Sequence, residues 1–61
     1  MSGHTAVIDP VDEAARRLYD AEVALHIAHT SQVDAWIAAA ADRLHVAIEA
    51  HLAAVAAQRI A

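Results

Sequence analysis

The sequence contains no cysteine, no phenylalanine and no lysine. Without cysteine there is no disulfide to staple a small domain and no thiolate to hold zinc. That absence fits a reducing compartment. Without lysine, the cations are four scattered arginines, Arg16, Arg17, Arg43 and Arg59, and the net charge is −4 with the histidines neutral. Nucleic-acid binding requires several cations on one face, so no nucleic-acid partner is expected. The acidic balance also disfavours anionic membranes. Gly3 is the one glycine, so there is no glycine-rich loop to cradle a phosphate. The serines, Ser2 and Ser31, have no His and Asp partners at an arguable spacing. An HExxH motif is absent as well.

Long apolar runs are missing too. Asp or Arg interrupts every stretch of about 18 residues that could cross a bilayer. The opening MSGHTAVIDP has neither a basic n-region nor a long apolar core, so no signal peptide is expected. These features together predict a soluble, cytoplasmic protein.

Alanine is what the chain has in quantity. It accounts for much of the 59% hydrophobic content. At 61 residues the chain forms at most one small domain. Domains this small usually need a staple, a metal or a partner. A lone hairpin rich in alanine keeps its outer faces wet. Self-association or a larger protein partner is therefore expected.

Residues 1–8 show no helical period and read as an N-terminal tail, with Val7 and Ile8 as its apolar members. Asp9-Pro10 is a helix start: Asp accepts from free backbone N–H groups, and Pro suits the first helical position. Asp12 and Glu13 follow in the first turn, where the helix dipole favours anions. Val11, Ala14, Leu18, Ala21, Leu25 and Ala28 then step by three and four, which is the stripe of an amphipathic helix. Continued past residue 31, that stripe would place Asp42 and Glu49 in the seam. The second stripe instead runs through Val33, Ile37, Ala40, Leu44, Ala47, His51 and Ala54. This phase slip predicts a turn at about residues 30–31, with Ser31-Gln32-Val33-Asp34 fitting a capping pattern. One long bent helix is the alternative, since no glycine or proline forces the turn.

The expected fold is all-α: an antiparallel hairpin over residues 9–61, self-associating into a four-helix bundle. Its first helix spans about 10–29 and its second about 32–59. A turn there sets residue i level with about 61 − i. Alanine at every seventh position lets the backbones approach, while Leu18, Leu25, Ile37 and Leu44 fill the gaps. Tyr19, Val23 and Ile27 form a further apolar row about 120° around the first helix. With Trp36 they make the expected outer interface. His51 falls in the second stripe, as a core histidine or a contact across a dimer seam.

One cluster could carry chemistry. Glu22, His26 and His29 stand at i, i+4 and i+7, a spacing that suits a divalent metal and leaves a position open for water. Simpler roles also account for each. Glu22 and His26 can pair along the helix, and a protonated His29 is favoured near the helix C-terminus. Asp42, His45 and Glu49 point away from the second stripe. The Glu-x-x-His pattern of di-iron bundles is not met. The function expected is protein–protein interaction, as a scaffold, adaptor or regulatory subunit without catalysis. The alternatives are a metal-binding bundle using Glu22, His26 and His29 across subunits, and an antitoxin-like partner of a larger protein.

Overall fold

A computed structural model describes residues 9–60 as two helices packed against each other in a hairpin. The tail expected over residues 1–8 lies outside the described residues.

The first helix, α1, runs Pro10–Ser31. Asp9 caps it from an extended backbone, and its Oδ1 accepts the Val11 N–H at 2.8 Å. This supplies one of the partners that the first turn of a helix lacks. Glu13 pairs with Arg16 at 2.6 Å and with Arg17 at 3.3 Å, one helical turn further on. Both arginines are exposed, so each pair contributes about 0.3–0.5 kcal/mol.

α1 ends two residues later than the sequence predicts. Thr30 Oγ1 donates to the Ile27 carbonyl at 2.7 Å, and Ser31 Oγ donates to the carbonyl of Ala28. The Ala28 carbonyl is among the four that the end of a helix leaves without an intrahelical partner; the Thr30 hydroxyl adds a further bond to the Ile27 carbonyl, whose i+4 residue Ser31 is still helical. Gln32 then takes a left-handed conformation, φ 61° and ψ 24°, and its N–H donates to the His29 carbonyl at 3.2 Å. The break therefore falls at Gln32 and Val33, not at Thr30 and Ser31. The expected capping pattern is also displaced. Ser31 belongs to α1, although its Oγ accepts the Val33 N–H at 3.3 Å. The carbonyl of Val33 receives the first bonds of the second helix, from Trp36 and Ile37 at 3.0 Å each. That helix, α2, runs Asp34–Ile60.

Moving the turn moves the register. Gln58 Nε2 donates to Asp9 Oδ1 at 2.9 Å, so residue i of α1 lies level with about 67 − i, not 61 − i. His51 is accordingly level with Arg16 rather than Pro10. The alanines of the two lines now stand opposite one another: Ala14 by Ala54, Ala21 by Ala47, Ala28 by Ala40. Among the described residues the buried ones are five of these six, Ala14, Ala21, Ala28, Ala40 and Ala47. Methyl against methyl permits helix axes at the short end of the usual range, about 8 Å. The larger stripe residues Val11, Leu18, Leu25, Ile37 and Leu44 are half-buried, and Val33 is exposed beside the turn.

Candidate interaction surface

The residues flanking each alanine line fall on two sides of the hairpin. At 3.6 residues per turn, positions three before or four after an alanine turn one way. These are Val11, Leu18 and Leu25 on α1, with Ile37, Leu44 and His51 on α2. Positions four before or three after turn the other way: Arg17 and Ala24, with Trp36, Arg43 and Ala50. Because the helices are antiparallel, like sides coincide. The hairpin has a leucine side and a groove side.

The groove side holds two neighbouring stretches. Arg17, Asp20, Ala21, Arg43, Val46, Ala47 and Ala50 line one stretch of it, about 350 Å³ in volume. Ala24, Ile27, Ala28, Trp36, Ala39 and Ala40 line the next, toward the turn, and Arg43 borders both. Its floor is the alanine seam, and its walls combine three charged side chains with Ile27, Trp36 and Val46. The leucine side carries larger aliphatic groups. Val11, Leu18, Leu25, Ile37, Leu44 and Val55 remain half-buried after the helices have packed, and Ile48 is 40% exposed.

The expected outer residues are exposed, at 65% for Tyr19, 61% for Ile27, 60% for Trp36 and 39% for Val23. They do not form one surface. A row at i, i+4 and i+8 drifts about 40° per step around a helix. Tyr19 and Val23 thus stand on the back of α1, while Ile27 reaches the groove and joins Trp36 there. Helix α2 contributes apolar side chains that the single-stripe reading passes over: Val46, Ile48 and Leu52 are all exposed. A legible signal was available for two of the leucine-side residues. The positions one after Ala40, Ala47 and Ala54 read Ala41, Ile48 and Val55, an apolar row beside the seam.

The candidate metal residues lie apart from this. Glu22 and His29 follow Ala21 and Ala28 directly, which puts them at the rim of the leucine side. His26 lies further round the helix, and all three are exposed. Among the described residues, no three His, Asp or Glu side chains converge to hold a metal ion. The revised register sets Glu22 level with His45 instead of Ala39, yet both side chains remain exposed. His45 pairs with Glu49 at 3.5 Å along its own helix. No polar or charged residue is buried among those described. His51 is half-buried at the edge of the stripe.

Comparison with protein-family models, with curated proteins and with solved structures gives no match. Among the described residues, no helix is long and apolar enough to cross a membrane.

Proposed function

We propose that this chain acts by self-association, as a small cytoplasmic helical module for protein–protein interaction without catalysis of its own. One observation carries the reading. No described side chain larger than a methyl group is buried, while nine large apolar side chains are at least 36% exposed. A hydrophobic core is the main force that holds a small domain folded. Here most of the apolar surface that could supply it faces outward. A second hairpin covering one apolar side, in a four-helix arrangement, supplies the missing burial.

Sedimentation equilibrium over a wide concentration range tests this. The expected result is a reversible oligomer whose helicity falls with dilution. A monomer that stays folded and melts cooperatively at every concentration removes the proposal.

A further inference from the structure

We infer that the leucine side is the surface that takes a second copy of this chain, with the groove side and the back of α1 left outside the contact. This rests on the self-association proposed above and specifies where it occurs.

Side-chain size is the first argument. Leu18, Leu25, Ile37, Leu44, Ile48 and Val55 all project from one side of the alanine seam, and each keeps part of its surface in water. All six are aliphatic and project together, so a second copy would cover them at once. The groove offers an alanine floor and exposed Ile27, Trp36 and Val46. The back of α1 offers Tyr19 and Val23 from a single helix.

Charge is the second argument. A dimer contact on the groove side would take Arg17, which pairs with Glu13, together with Asp20 and Arg43 out of water, and charges are costly to desolvate. On the leucine side, Glu22 and His29 lie along the outer edge. An apolar centre with a polar rim is the ordinary anatomy of a protein–protein contact. His51, half-buried beside the seam, is the ionisable group nearest the centre.

Area is the third. The 22 residues of α1 make a helix about 33 Å long at 1.5 Å per residue, and two helices side by side are about 20 Å wide. One side therefore presents roughly 660 Å². Two such sides together hide roughly 1,300 Å², within the range of about 1,200–2,000 Å² for specific interfaces. A two-fold axis lets one patch serve both copies, so no other surface is required.

Three single substitutions at exposed positions test the assignment: Ile48→Glu on the leucine side, Val46→Glu in the groove and Tyr19→Glu on the back. The dimerisation midpoint is read by sedimentation. Ile48→Glu is expected to move it at least tenfold toward monomer, while Val46→Glu and Tyr19→Glu stay within about twofold of wild type. Because Ile48→Glu also unfolds a hairpin that folds only as a dimer, Ile48→Cys and Val46→Cys provide a second measurement. The chain has no thiol of its own. The thiol of the Ile48→Cys chain is expected to be protected from a thiol reagent at high protein concentration, and that of the Val46→Cys chain to react freely.

Protection in Val46→Cys with reactivity in Ile48→Cys, or a dimer weakened by Val46→Glu alone, overturns the leucine-side assignment and leaves self-association standing. A wild-type chain that is a folded monomer at all concentrations overturns both. An Ile48→Cys chain whose thiol is protected only on phosphatidylcholine vesicles, or only with a different protein added, overturns the second copy as the occupant.

Discussion

Asp9 and Gln58, separated by 49 residues in sequence, meet side chain to side chain at 2.9 Å. The same Asp9 oxygen accepts the Val11 N–H at 2.8 Å, so one atom both caps α1 and ties it to the last turns of α2. Asp9→Ala removes both functions. It is expected to destabilise the hairpin by about 1–2 kcal/mol, the upper part of the range for a lost cap. Asp9→Asn retains an accepting oxygen and is expected to recover most of that. Gln58→Ala, which loses only the exposed tie, should cost about 0.5 kcal/mol. Urea titrations followed by circular dichroism give the three values, and equal losses for Ala and Asn would contradict the dual role.

The turn makes a separate prediction. Gln32 holds φ 61°, a left-handed conformation that costs an L-residue about 1–2 kcal/mol and a glycine almost nothing. Gln32→Gly loses part of that gain to the greater freedom of its unfolded chain. The net expectation is a hairpin more stable by about 0.5 kcal/mol. Gln32→Val, with a branched Cβ in the same conformation, should be less stable than wild type by more than about 1 kcal/mol. Thermal melts at one fixed protein concentration rank the three. Gly and Val on the same side of wild type would refute the account.

The seam makes the third. Ala47 lies opposite Ala21, and both are buried. Leucine at 47 must either part the helices or bend away from the seam into the groove that Ala21 and Ala47 line. Ala47→Leu is expected to cost about 1–3 kcal/mol, as overpacking does. Ala38→Leu, at an exposed position of the same helix, should change stability by less than about 0.5 kcal/mol. Comparable effects at both positions would show that the seam is not closely packed.

Much of this architecture can be read from residue spacing. The two stripes contain all five buried residues, because a 3-4 repeat of apolar positions is the direct imprint of one helix face meeting another. The phase slip reveals a break, and Asp9-Pro10 marks where α1 begins. The position of the turn is harder to read, because Gln32 fills a place where glycine or asparagine usually announces a helix end. Ser31 resembles a cap in sequence, yet its hydroxyl donates backward to Ala28. The outer residues are legible one at a time as exposed. Their distribution over separate sides is not, because a four-residue step drifts around the cylinder. The candidate metal ligands share a helix face by spacing alone, and spacing says nothing about what the opposite helix brings to them.

A seam made of one repeated small residue has a further property. Sliding α2 by a heptad, about 10 Å along the axis, sets Ala14 against Ala47 and Ala21 against Ala40, so the lining matches nearly as well as before. The degeneracy is lifted by the brevity of the Gln32-Val33 connection and by the grip of Gln58 on Asp9. The loop thus acts as the ruler of the molecule. A few inserted residues there would release a second alignment, and with it a different pattern of leucines on the outside.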